Sequence, residues 1–222
     1  LLSERHQGSF ADRVVVPRRN LVPKPAGLSF EEAACLPTAW LTAYRMLFTQ
    51  GDLKPGDSVL VQGVGGGVAT ALITLARAGG LRVYATSRDE SKRRRALEIG
   101  AHEVFASGER LPVKVDAVME TVGAATWEHS VRSLRPGGAI VISGATSGPN
   151  PEQAMLTHIF FLQLRVIGST MGTRAELAAL VRMLDTTGTR PLIDRVLPMT
   201  EATEGFEAIA KGDVFGKIVL TR

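Results

Sequence analysis

VLVQGVGGGVATALITLARAGGLRVYATSR, residues 59–88, is the stretch that decides how this chain folds. Val59–Val61 is a short apolar run, the glycines follow at once, Ala69–Ala78 is rich in alanine and leucine without proline, and Arg82–Thr86 is apolar and β-branched again. That order reads as strand, glycine loop, helix and second strand. A bare glycine loop lets the backbone approach phosphate closely, and the helix behind it aims unpaired N–H groups and the positive end of its dipole at the negative charge. A glycine run alone also fits a tight turn packing a helix on a strand. The spacing favours a nucleotide: with Gly66 under a pyrophosphate and Ala69 where helix meets strand, the dinucleotide fingerprint is satisfied. Gly65, Gly66, Gly67 and Val68 are therefore the candidate phosphate cradle.

The second strand closes about 20 residues beyond Gly66, where an acidic residue would hold the ribose hydroxyls of NAD. Thr86, Ser87 and Arg88 stand there instead, and Lys92–Arg95 follow on the next helix. Hydroxyl and cationic groups suit a 2′-phosphate, so the expected cofactor is NADPH rather than NADH. Consecutive helical residues point in different directions. Ser87, Arg88 and Lys92 are the candidates, and the remaining cations are read as a solvated face. Asp89 and Glu90 add acidity nearby, but their position suits the start of the helix.

The chain has 222 residues, 45% of them hydrophobic, enough for a real core. No apolar run approaches the roughly 20 residues that cross a bilayer, and no signal peptide is recognisable. A formal charge of +4 is small, and its one dense cationic cluster lies beside the nucleotide loop, so nucleic-acid binding is a poor second choice. The single cysteine, Cys35, excludes an internal disulfide and suits a reducing cytoplasm.

Six strands are expected, at Ser58–Gln62, Arg82–Thr86, Glu103–Phe105, Ala117–Thr121, Ala139–Ser143 and Arg165–Ser169, with helices between most of them. This is a doubly wound α/β set, a parallel Rossmann sheet of order 3-2-1-4-5-6, whose ligand lies beyond the carboxyl ends of the strands. The loops Thr121-Val122-Gly123 and Gly144-Ala145-Thr146-Ser147 should therefore touch the cofactor. Pro136-Gly137-Gly138 reads as a structural turn. Outside the sheet, Gly8–Pro17 reads as a strand and Leu21–Ser29 as a connecting loop. Ser29 caps a helix running to about Gln50, with Glu32 completing a capping box. Near the other end, Thr173–Asp185 is helical, Ile193–Leu197 extended, Thr200–Ala210 helical and Lys217–Thr221 a last strand.

Taken together, GSFADRVVVP (8–17), LSFEEAACLPTAWLTAYRML (28–47), LKPGDSVLVQGVGGGVA (53–69), LEIGA (97–101), SLRPGG (133–138), RVIGSTMGTRAEL (165–177) and FGKIVL (215–220) resemble the medium-chain dehydrogenase/reductase superfamily, in its quinone oxidoreductase and zinc-type alcohol dehydrogenase branch. The resemblance is collinear and covers nearly the whole chain. It implies a two-domain enzyme in which residues 1–26 are a remnant of a GroES-like catalytic domain, 27–172 the Rossmann domain and 173–222 a segment returning to the catalytic domain. Most of that catalytic domain, with the proton donor or zinc ligands found there in relatives, is expected to be missing, so turnover by this chain alone is not expected.

The resemblance also places a zinc-ligand cysteine of zinc-dependent relatives at Thr38, and threonine argues against zinc. Cys35 lies one helical turn upstream, and His6, His102, His129 and His158 are scattered without metal-ligand spacing. Thr42 resembles a threonine beside the cofactor phosphates, with a hydroxyl bonded to its own helix as the alternative. Phe160 and Phe161 resemble a segment lining the nicotinamide end, with core packing as the alternative. Lys217 reaches the cofactor or is a solvated strand lysine.

The implied activity is hydride transfer from NADPH to a quinone, enone or carbonyl, and the rival reading is a non-catalytic nucleotide-binding protein with a structural or regulatory role. A short-chain reductase would need Lys four residues after a Tyr, but Tyr44 leads to Phe48 and Tyr84 to Arg88. A methyltransferase would want an acid near Ser87. The strand at Arg165–Ser169 leaves an open edge, and a homodimer through that edge is expected.

Overall fold

The computed structural model describes residue 4 and residues 6–222. After an extended leader, helix α1 (Phe30–Ala34) starts at Ser29, whose hydroxyl accepts from Glu32 N–H while the Glu32 carboxylate accepts from Ser29 N–H. The helix continues through a π-helical turn at Leu36–Trp40, α2 (Leu41–Tyr44) and a second π-helical segment at Arg45–Gln50. The capping box is the one the sequence signals.

Then the sheet begins, with β1 (Ser58–Val61), α3 (Gly67–Ala78), β2 (Arg82–Thr86), α4 (Glu90–Glu98), β3 (Glu103–Phe105), β4 (Val115–Glu120), α5 (Trp127–Ser133), β5 (Leu134–Ile142), α6 (Leu156–Phe161) and β6 (Arg165–Gly168). All six strands are parallel, in the order β3-β2-β1-β4-β5-β6. This is the doubly wound topology expected. The central strands are buried on both faces, which is why they read as continuous apolar runs rather than alternating ones. One face carries Val59, Val61, Ala85 and Met119 against α2, α3 and α7 (Arg174–Thr187). The other carries Leu60, Tyr84, Val118 and Ile140 against α5 and the β3–β4 connection.

Beyond β6, α7 starts from a second capping box formed by Thr173 and Glu176. Strand β7 (Ile193–Pro198), a 3-10 turn at Met199–Glu201, α8 (Ala202–Lys211) and β8 (Lys217–Thr221) follow, and β7 and β8 pair in parallel as a separate two-stranded sheet. That small sheet is consistent with part of a second β domain. Among the described residues no helix is long and apolar enough to cross a membrane.

Two expectations are corrected. Residues 8–17 form no strand: Phe10 and Val15 stand exposed, Val15 at 99%, and an extended segment without a partner strand has no ladder to join. Pro136-Gly137-Gly138 is not a turn ahead of a strand but lies inside β5. There the pairing with β4 shifts register between Val115 and Ala117, so the glycines accommodate an irregularity in a continuous strand.

Candidate functional site

The carboxyl ends of β1, β2, β4 and β5 converge where the strand order reverses, and the loops there form the site. From β1 the chain runs Gln62 to Gly66, and Gly66 is the N-cap of α3, with free space where a Cβ would stand. The first N–H groups of a twelve-residue helix therefore open onto a cradle with no side chain in it.

Two lysines flank the cradle. Lys92 lies across Gly65, and its Nζ donates to Gly212 O at 2.5 Å. The stem of Lys217 packs on Gly67 so closely that a Cβ there would collide with Lys217 Cδ. The segment between them, Gly212–Lys217, is strapped over the loop: Gly216 N–H donates to Gly65 O at 2.9 Å, and Phe215, buried, sits 4.2 Å beneath the guanidinium of Arg95. Lys217 is thus brought to the glycine loop.

At the end of β2, Ser87 is buried with its hydroxyl 3.4 Å from Val64 O, and it accepts from Asp89 N–H. Asp89 caps α4 through Oδ1, which accepts from Ser91 N–H, the Ser91 hydroxyl and Lys92 N–H. These bonds, the Ser91 hydroxyl first, hold its carboxyl below the usual range. Arg88 is exposed at the same rim. Arg93, read from sequence as part of a solvated face, instead folds back to donate to Ser87 O at 2.8 Å, because the strand end leaves that carbonyl unpaired.

The loops after β4 and β5 are joined to each other. Thr146 N–H donates to Thr121 O, Ser147 N–H to Val122 O at 2.7 Å and Ala124 N–H to Gly148 O at 3.0 Å, while Ala145 backs onto Gly123 and Gly144 onto Thr121. Val122 in turn packs over Gly63, which ties this unit to the glycine loop. Thr42 is buried on α2, which packs against α3. Gly65, Gly66, Gly67, Val68, Ser87, Lys92, Thr121, Val122, Gly144, Ala145, Thr146 and Lys217 therefore share one rim.

Phe160 and Phe161 are 63% and 73% exposed on α6, with their rings 4.6 Å apart, so the core-packing alternative is overturned. They stand on a six-residue helix that packs against α5, and neither ring is buried there.

Sequence reasoning passed over a polar layer directly below this rim. Gln62, Thr86 and Glu120 close β1, β2 and β4 at one level, and all three are fully buried. Thr86 donates to Gln62 Oε1 at 2.5 Å, and Gln62 Nε2 donates to Ser130 Oγ at 2.9 Å and to His129 Nδ1 at 2.8 Å. Ser130 then donates to Glu120 Oε2 at 2.6 Å. The signal was present as a single polar residue ending each apolar run.

A groove of about 520 Å³ lies elsewhere, between the β3–β4 connection and α5, lined by Arg110, Lys114, Arg132 and His158 among others. Two of its cations are engaged already, Lys114 with Arg132 O and Arg132 with Glu128. It lies away from the glycine loop, and the loop rim remains the candidate site.

A glycine-rich turn opening a helix at the switch point of a 3-2-1-4-5-6 sheet defines a dinucleotide-binding domain of dehydrogenase type. The model of the zinc-binding dehydrogenase family matches residues 67–186, and the chain belongs to that family. It is 34% identical over 215 residues to a zinc-type alcohol dehydrogenase-like protein of Leptosphaeria maculans, covering 88% of this chain and 60% of the relative. It is 29% identical to the quinone oxidoreductase of Mus musculus, covering 96% of this chain and 69% of the relative. A crystal structure of an NAD-dependent alcohol dehydrogenase matches with a TM-score of 0.92 and 37% identity, over 100% of this chain and 67% of that one. A 2-octenoyl-CoA carboxylase reductase solved with NADP and 2-octenoyl-CoA matches with a TM-score of 0.83 and 26% identity, over 90% of this chain and 51% of that one. The chain thus spans 60% and 69% of the lengths of these two curated relatives.

The family's zinc does not fit the residues of this chain. Among the described residues no three of His, Cys, Asp and Glu are grouped to hold a metal ion. Cys35 is buried and donates to Glu31 O at 3.3 Å, and burial pushes its thiol up to about 11, so it is not a displaced ligand facing the cleft. A dinucleotide does fit: the space at Gly66, the α3 N-terminus and the flanking lysines supply what a pyrophosphate requires.

Proposed function

We propose that this chain is the cofactor-binding part of an NADPH-dependent oxidoreductase that reduces a quinone, an enone or a carbonyl compound. The observation that carries the cofactor choice is the fate of Asp89. Its Oδ1 is engaged in capping α4, and Ser87, Arg88 and Lys92 are the hydroxyl and cationic groups at the end of β2. A hydroxyl and two cations suit a 2′-phosphate better than the ribose diol of NADH, which is usually held by a carboxylate.

In this reading Gly65–Val68 hold the pyrophosphate and the paired loops Thr121–Val122 and Gly144–Thr146 flank the nicotinamide half. Lys217 and Thr42 stand beside the phosphates, and Phe160 and Phe161 sit toward the nicotinamide end. When bound, NADPH supplies the hydride. This chain's share is to fix the nucleotide and to close its phosphates off from water under the Gly212–Lys217 strap. The rest of the reaction, including the proton, falls to the catalytic domain that longer relatives carry. The domain division at 26 and 172, a homodimer through β6 and a reducing cytoplasmic setting for Cys35 belong to the same proposal.

Calorimetric titration with NADPH and NADH tests it, on the chain as given and on Ser87→Asp. NADPH should bind more tightly than NADH, and the substitution should reverse the order. Equal affinities, or binding of neither nucleotide by the folded chain, would overturn the reading.

A further inference from the structure

Glu120 ends β4 with no exposed surface and no cation in contact, at a depth where a carboxylate is costly unless its lone pairs are all engaged. They are. Oε1 accepts from Val122 N–H at 2.7 Å and Gly123 N–H at 3.0 Å, and Oε2 accepts from the hydroxyls of Thr126 at 2.8 Å and Ser130 at 2.6 Å. Two of these four donors belong to the loop after β4, and the other two to α5 and the turn that leads into it.

Apart from the packing of Val122 on Gly63, these are the bonds that hold the loop to the core among the described residues. Its carbonyls at Thr121 and Val122 are taken by the loop after β5, through Thr146 N–H and through both the N–H and the hydroxyl of Ser147. The two loops therefore move as one piece, and Glu120 is where that piece is fastened. In a doubly wound sheet β4 and β5 belong to the second mononucleotide half, and β1–β3 to the first.

We infer that Glu120 is a positioning residue: its buried carboxylate fixes the joined loops after β4 and β5 in the shape that receives the nicotinamide half of the cofactor. This rests on the nucleotide-binding reading above. The adenosine half has its own support, since Thr86, Gln62 and His129 stay bonded to one another whether or not residue 120 accepts from Ser130. Loss of the carboxylate therefore loosens one half of the site and spares the other.

The test compares two probes on the whole chain: NADPH, which spans both halves, and 2′,5′-ADP, which occupies the adenosine half alone. Glu120→Ala should weaken NADPH by about tenfold or more while 2′,5′-ADP stays within about twofold. Glu120→Gln, which keeps one carbonyl oxygen for the Val122 and Gly123 N–H groups, should recover most of the NADPH affinity. A purely structural role would lower both affinities together, and that result overturns the inference, as would unchanged NADPH binding in Glu120→Ala. If the Ala variant does not fold, Glu120→Gln together with Ser130→Ala decides. Both variants leave the two loop N–H groups held, so each should bind NADPH within about threefold of wild type, and a loss shared equally by NADPH and 2′,5′-ADP in either would also overturn it. Wild-type protein that binds 2′,5′-ADP but gains nothing from the nicotinamide half overturns the inference and leaves the cofactor site standing; binding of neither probe removes both.

Discussion

Arg45 Nη1 lies 2.7 Å from both carboxylate oxygens of Glu176, so one ion pair joins the helical segment before β1 to the helix after β6. Partial burial pushes the Glu176 carboxyl up, but bonds from the Thr173 N–H, the Thr49 and Thr173 side chains and Arg45 together outweigh it and hold the group at about 2. The ordinary value is 4.5, and the folded value lies below it. The contribution of the Glu176 carboxylate with all these partners, Arg45 the smallest of them, is therefore complete above about pH 4.5 and is lost as pH falls toward 2. It should amount to on the order of 2 kcal/mol. Urea unfolding between about pH 5 and pH 2 should show Glu176→Gln with a shallower pH dependence than wild type. Parallel profiles would sink the assignment.

Two glycines at the rim should respond differently to alanine. Gly123 has φ +95°, and a Cβ there would stand 2.6 Å from Gly148 O and 2.8 Å from Ala145 Cα, both backbone atoms of the paired loop. Gly123→Ala should lose on the order of 2–3 kcal/mol, from strain and from parting the loops. Gly67 meets the stem of Lys217, which can swing aside, and alanine suits the first turn of a helix. Gly67→Ala should lose less than about 1 kcal/mol. Similar losses in thermal unfolding would contradict this account.

The sheet was legible because its strands are apolar runs set between turn residues, and the glycine loop and the Ser29 capping box depend on local chemistry alone. The segment at 8–17 was misread because a strand needs a partner, and apolar alternation cannot supply one. Pro136-Gly137-Gly138 has a turn's composition but sits in a strand whose register slips beside it. The polar layer was passed over for a different reason. Gln62 and Glu120 end their strands where polarity usually signals exposure, and only the packing of α5 over them brings the Ser130, Thr126 and His129 partners that allow their burial.

Cys35 offers a simple check on the packing of α1. Burial raises its thiol to about 11, and the charge of Lys217 opposes this without reversing it. At neutral pH little thiolate forms and none is reachable, so a thiol reagent should leave the native protein unmodified and react only at the rate of unfolding. Rapid labelling in buffer would show α1 to be open.

Strand β6 ends the sheet, with its outer edge unpaired among the described residues. Val166 on β6 is 47% exposed, and Phe160 and Phe161 on α6 are 63% and 73% exposed. A row of free N–H and C=O groups is a template for another strand, and a second copy of the same edge completes it symmetrically. Light scattering should therefore show a dimer for wild type. Val166→Lys places a charge in the centre of the pairing and should give a monomer of unchanged thermal stability, because the side chain faces outward already. Phe160→Ser should weaken the dimer without abolishing it, since the strand edge remains. A wild-type monomer across the concentration range removes the proposal. A dimer that ignores both substitutions moves the interface to another surface.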